Sequence, residues 1–356
     1  MSRKTIACAL AGVAAVLAVA ACGTHPLIPS SVTHHRPAGP SPWASATAKP
    51  VTGVDLYAQQ DYAPAVAAAD GARDLTYLRG RLHANAVGIV WNFYTPSNRS
   101  DAVEDTGITF PVAEVAELTR QAEADGLTVQ YRPLIRVGRR EKWEGAISPA
   151  DQAAWFASLW RAERPYLRLA KRLHVSQFVV ASEMEYMNNS PGWAAFLARA
   201  RAAYPGQVTL SLWDGDYFAQ HIPGGMGAPG VDPYPDTGLP DRATQAQVTA
   251  AWHRLFAPIP AAVREATTLD EVGFIAEKGA YSAPQEWHRR TPSDYRMQAR
   301  WFTAVCRTAA AYHLAGVYFY DLNLAIDPNV PDSFPGFFAH RPGARAIAGC
   351  AEILRH

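Results

Sequence analysis

"SPADQAAWFASLWRAERPYLRLAKRLHVSQFVVASE", Ser148 to Glu183, joins two different patterns without a break. Up to about His174 the apolar residues recur at helical spacing, and Ser148 with Pro149 supplies an N-cap and a first-turn proline for that helix. From Ser176 the chain turns into a short apolar run ending on an acid, as expected of a strand covered on both faces. A long helix feeding directly into such a strand is half of a parallel βα repeat.

Working outward, seven more runs have strand character: "GVDLYA" from Gly53, "AVGIVWNFY" from Ala86, "LTVQYRP" from Leu127, "QVTLSLWD" from Gln207, "GVDPYP" from Gly230, "EVGFIAE" from Glu271 and "AGVYFYDL" from Ala315. Helical patterns lie between them. In "FPVAEVAELTRQAEADG", for example, Val112, Val115, Ala116 and Leu118 keep to one face and Gly126 follows the end. Eight such units predict an α/β fold, a single-domain (β/α)8 TIM barrel over residues 51–356. A doubly wound open sheet is the competitor. No glycine-rich phosphate turn follows the first strand, so nucleotide binding is not expected.

Of the 356 residues 49% are hydrophobic, enough for an extensive core, and 33 basic side chains stand against 32 acidic ones. That balance offers no global field to nucleic acid or to a membrane surface; a neutral ligand fits better. No cofactor or metal is expected: His34 and His35 are an isolated pair, and Asp214, Asp216 and Asp232 do not form a metal motif. The expected assembly is a monomer.

The first residues, "MSRKTIACALAGVAAVLAVAACG", read as an export signal, with Arg3 and Lys4 before an apolar segment too short for a standard membrane span. Val19-Ala20-Ala21-Cys22 resembles a bacterial lipobox. Residues 1–21 are therefore expected to be removed and Cys22 lipidated, which predicts an extracytoplasmic protein, lipid-anchored or secreted. Residues 22–50, rich in Pro, Ser, Thr and Ala, read as a tether. In the exported part Cys306 and Cys350 remain, either as a disulfide or as two separate buried thiols.

In a (β/α)8 barrel the chemistry sits at the C-terminal ends of the strands. There the sequence places Trp91 and Asn92, Arg132, Glu183, Trp213 and Asp214, Asp232 and Tyr234, Glu277, and Tyr320, Asp321 and Asn323. Carboxylates among aromatic planes suit hydrolysis of a glycosidic bond, which needs one protonated acid and one ionised carboxylate. Strands four and seven stand nearly opposite each other, so Glu183 and Glu277 can converge on one substrate, their mutual repulsion helping to keep a proton on Glu183. Trp91, Trp143 and Trp213 are candidate sugar platforms, whereas Trp155 and Trp160 lie within a helix and are expected in the core. Alternatives stay open. Glu183 could pair structurally with Arg132, Glu185 could be the acid if the strand runs longer, and Glu277 could anchor a loop through Lys278. Tyr234 is placed to hydrogen-bond a nucleophilic carboxylate, Arg132 to orient one, and the basic run Arg136, Arg139, Arg140 and Lys142 reads as a solvated loop.

The stretch from Tyr131 to Met187, with its tryptophan-containing loop after strand three, the Trp-Phe pair in the following helix and the strand-four acid, resembles glycoside hydrolase family 113 and related clan A hydrolases. The resemblance continues in "GVDPYPD" and "GFIAEKGAYSAP" and covers most of residues 51–325. It implies a retaining hydrolase of β-linked glycans, β-mannan in that family, with Glu183 as acid/base and Glu277 as nucleophile. Two departures stand out: Ser182 precedes the acid where many clan members have Asn, and Tyr320-Asp321 stands where many have Trp. They motivate a second reading, a surface lipoprotein that binds carbohydrate without turnover. A structural envelope protein is the more distant third.

Overall fold

Eight parallel strands close on themselves in sequence order. They are β1 (Val51–Ala58), β2 (Ala86–Thr95), β3 (Thr128–Val137), β4 (Gln177–Ser182), β5 (Gln207–Trp213), β6 (Gly230–Asp232), β7 (Thr268–Val272) and β8 (Gly316–Asn323). The computed structural model describes residues 50–58, 62–138, 143–287 and 291–355. The expected signal segment, Cys22 and all of the expected tether except Pro50 lie outside the described residues.

The helices are α1 (Pro64–Arg81), α2 (Val112–Ala124), α3 (Gln152–Arg172), α4 (Gly192–Ala203), α5 (Asp214–Phe218), α6 (Gln245–Phe256), α7 (Ala261–Ala266), α8 (Tyr295–Ala311) and α9 (Pro342–Ile353). This is the expected (β/α)8 barrel. α3 starts later than its sequence suggests: Asp151, not Ser148, is its N-cap, with its carboxylate accepting the N–H of Ala154 across 2.9 Å. Trp155 and Trp160 are buried in the core, as expected.

The largest apolar cluster fills the shell between sheet and helices. The barrel interior is different. Along β3 every second side chain points inward, so Gln130, Arg132, Leu134 and Arg136 rise in a row towards the mouth. Around Arg132 stand Asp55 of β1, Asp232 of β6 and Asp270 of β7, all fully buried. A carboxylate layer needs space: a Cβ at Gly230 would lie 1.8 Å from Oδ2 of Asp270, so glycine is the residue that fits. Above it Tyr57, Val90 and Leu134, with Tyr320 packed on them, form a small apolar plug beneath the mouth.

Buried ion clusters seldom stabilise a fold relative to an apolar core, so this one is better read as support for the mouth. Between two of the helices, Cys306 of α8 and Cys350 of α9 form a disulfide with Cα atoms 5.3 Å apart. It closes a loop with a sequence separation of 44, which in the chain-entropy account contributes roughly 4 kcal/mol.

Candidate active site

A cavity of about 980 Å³ opens at the C-terminal end of the barrel. Glu183, Trp143, Trp213, Asp214, Tyr234 and Tyr320 all line it. The barrel thus gathers most of the residues expected at the strand ends into one cavity.

Glu183 directly follows β4 and takes a left-handed backbone conformation, φ +51°, uncommon for a residue with a Cβ. Its amide N–H remains tied to the carbonyl of Ser211 on β5 across 2.8 Å, so the turn that carries the carboxyl is anchored to the sheet. Oε2 accepts the indole N–H of Trp143 across 2.6 Å. Burial pushes this carboxyl well above the usual glutamate range, and the negative charges of Asp232, Glu271 and Glu144 push the same way.

Glu277, expected to face Glu183, does not line this cavity. β7 ends at Val272, five residues earlier than a strand running from Glu271 to Glu277 would. Glu277 lies in the following loop, buried, bridged to Ser293, with Oε2 accepting the N–H of Thr291 across 3.4 Å, and it does not line the cavity. Its place is to tie the loop after β7 to the approach to α8.

Glu271 lines the cavity instead. Nη2 of Arg132 lies 2.5 Å from its Oε2, and the hydroxyl of Tyr234 donates to its Oε1 across 2.6 Å. Its neighbour Asp270 also points into the barrel, accepting from Gln130 across 2.9 Å. Consecutive strand residues ordinarily face opposite ways; a register shift between Leu269 and Val272 lets both acids turn inward.

Four further candidates fall outside the cavity lining. Trp91 is fully buried on the outer face of β2, stacked on Tyr166 of α3 with centroids 4.7 Å apart, so it is core and not a sugar platform. β2 is regular here, so adjacent positions face opposite ways, and Asn92 is the one pointing inward, accepting from the Tyr57 hydroxyl across 2.8 Å. Arg132 and Asp232 lie beneath the cavity, paired with each other at 2.7 Å. Arg132 therefore pairs with Asp232 and Glu271, and not with Glu183.

Other lining residues carry weak sequence signals: Glu271 opens an expected strand, Arg136 belongs to a basic run expected in a solvated loop, and Trp287, Phe334 and Phe337 are marked only by being aromatic. Arg136 in fact points inward, donating to the Tyr57 hydroxyl across 2.7 Å and facing Glu144 at 3.5 Å. Asp321 shares the lining, with its carboxyl raised to about 7, first by burial and then by the charge of Glu271. Among the described residues no group of His, Cys, Asp and Glu has a metal-holding arrangement.

The sequence pattern of Glycoside Hydrolase Family 113 matches residues 62–223, a span that includes Glu183 and ends before β7. No curated protein matches the chain. Among solved structures, a GH113 β-mannanase from Alicyclobacillus acidocaldarius superposes with a TM-score of 0.72 at 19% identity, covering 87% of this chain and 100% of that one. A GH113 β-1,4-mannanase gives 0.73 at 18% identity, over 86% and 99%. A family 5 mannosidase from Rhizomucor miehei is more distant, 0.53 at 10% identity, over 86% and 94%. At these identities the superpositions speak for the fold, and the family pattern for the chemistry. The chain resembles Glycoside Hydrolase Family 113 and the related clan A barrels, and it is a glycoside hydrolase.

Proposed function

We propose that the protein is a retaining β-glycoside hydrolase in which Glu183 is the acid/base and Glu271 the nucleophile, acting on β-1,4-linked mannan or its oligosaccharides. The observation that carries this reading is the contrast between two carboxyls lining one cavity. Glu183 is pushed towards its protonated form, while Glu271 is matched to a permanently charged guanidinium and a phenol.

In the first half-reaction Glu183 gives its proton to the glycosidic oxygen as an oxygen of Glu271 attacks the anomeric carbon. The bond to the leaving sugar breaks and an ester to Glu271 forms. In the second, Glu183, now a carboxylate, takes a proton from water; the resulting oxygen nucleophile attacks the same carbon and Glu271 leaves. Arg132 and Tyr234 hold the attacking carboxylate in place, one donor on each oxygen. The aromatic rings of Trp143, Trp213, Trp287 and Tyr320 offer faces for the apolar C–H surfaces of pyranoses.

The mannan assignment is supported by what the structurally similar β-mannanases are named for. Export and lipid anchoring at Cys22 belong to the same proposal, supported by the lipobox-like sequence before that residue. The test is hydrolysis of β-1,4-mannan and of mannooligosaccharides by the full chain, beside Glu183→Gln and Glu271→Gln. Release of reducing ends by the parent and not by either variant is expected. Turnover undiminished in both variants would remove the assignment.

A further inference from the structure

Trp143 turns its edge, and not its face, to the acid. Its N–H reaches Oε2 of Glu183 across 2.6 Å, although the side chain is 41% exposed at the lip of the cavity. The ring is held in that orientation from two sides. Trp213 packs against it at a centroid distance of 6.2 Å and an interplanar angle of 65°. Two residues on, a Cβ at Gly145 would lie 2.2 Å from the indole Cζ2, so the ring can fold back only over a glycine.

A protonated carboxyl has one carbonyl oxygen and one hydroxyl, and an N–H donor is accepted best by the carbonyl oxygen. A donor fixed on Oε2 therefore leaves the proton on Oε1. After proton transfer the same N–H stabilises the carboxylate that must next activate water.

We propose that Trp143 is a positioning residue for Glu183, assigning the transferable proton to Oε1 and holding that oxygen towards the leaving group. This rests on Glu183 being the acid/base. The charges acting on Glu183 are those of Asp232 from β6, Glu271 from β7 and Glu144 after β3, while Arg136, Asp214 and Asp321 share its cavity. All of them remain in a Trp143→Phe variant, so any change in titration there reports the lost N–H.

The test compares the full-length parent with Trp143→Phe and Gly145→Ala on two substrates. One is a mannooligosaccharide, whose sugar leaving group needs a proton; the other is a dinitrophenyl β-mannoside, whose leaving group does not. For Trp143→Phe, kcat/KM on the oligosaccharide should fall by roughly tenfold or more, with a much smaller loss on the aryl glycoside. Because the indole favours the ionised form, its removal should also move the alkaline limb of the pH profile upward by about one unit. Gly145→Ala, which displaces the ring without altering it, should act in the same direction. Equal losses on both substrates with an unmoved limb would reduce Trp143 to a piece of cavity wall and overturn the inference.

A spectroscopic arm works without turnover. In the ¹⁵N-labelled parent one indole N–H resonance should shift with pH and lose that shift in Glu183→Gln. No such resonance overturns the inference even if hydrolysis is intact. A parent that cleaves neither substrate but shows the titrating indole counts against the proposed reaction and not against this contact.

Discussion

Nη2 of Arg132 sits 2.5 Å from Oε2 of Glu271 and 2.7 Å from Oδ2 of Asp232, so one buried guanidinium joins the cavity to the charged layer beneath it. Removing it strands several carboxylates in the barrel interior. Arg132→Ala is expected to lose about 3 to 5 kcal/mol of stability, read by urea denaturation. Tyr234→Phe takes away only the other donor to Glu271 and leaves the ion pair intact. It should fold normally and lower kcat by roughly 10- to 100-fold, from the value of a hydrogen bond to a charged group. A stable Arg132→Ala protein with full activity would show that the charged layer does not support the site.

The pH dependence of kcat/KM should have an alkaline limb set by Glu183. A carboxyl raised by burial and by neighbouring negative charge keeps its proton above the usual glutamate range, so activity persists towards neutral pH and falls as Glu183 ionises. Glu144→Gln removes one of those neighbouring charges and should move the limb to lower pH. A limb that stays put or moves up would show that Glu144 does not act on Glu183.

Glu163 of α3 gives a prediction about stability. It is fully buried, neither carboxyl oxygen has a hydrogen-bond partner, and burial raises its pKa well above the ordinary value. In the pH range between the unfolded and folded values the unfolded chain has released this proton and the folded chain has not. Stability is therefore fully present below the unfolded pKa and is lost as pH rises, with a slope of up to about 1.4 kcal/mol per pH unit. Glu163→Gln cannot ionise, so its melting temperature should fall less than the parent's between mildly acidic and mildly alkaline buffer. Parallel curves would contradict the assignment.

The disulfide is tested by Cys306→Ala with Cys350→Ala. The double variant should lose roughly 4 kcal/mol in denaturant under non-reducing conditions, and the parent should approach it when reduced. Activity of the folded double variant should be unchanged, because neither cysteine lines the cavity.

The barrel was legible because its outer shell obeys simple rules: apolar strands, helices with one apolar face and turn residues between them. Glu183 was legible for the same reason, as an acid ending an apolar run. The rule failed where the barrel interior is polar. "TLDEV", Thr268 to Val272, carries two acids in five residues, and an apolar-run criterion slides past it to "VGFIA", taking Glu277 for the strand end. The inward-facing acids of β1, β6 and β7 and the glycine that makes room for one of them show why a strand here can contain Asp and Glu. The pairing of Trp91 with Asn92 failed on parity alone, since neighbours on a strand face opposite sides. No local pattern announces a register shift such as the one that turns Glu271 inward, because it arises from pairing with β8.

The central claim is tested most directly by trapping the glycosyl-enzyme. A 2-deoxy-2-fluoro-β-mannosyl fluoride slows both half-reactions, and its good leaving group lets the first outrun the second, so the sugar accumulates on the nucleophile and can be located by peptide mass spectrometry. The account predicts the label on Glu271. A label on Glu277, or release of product with inverted configuration and no adduct, would contradict it.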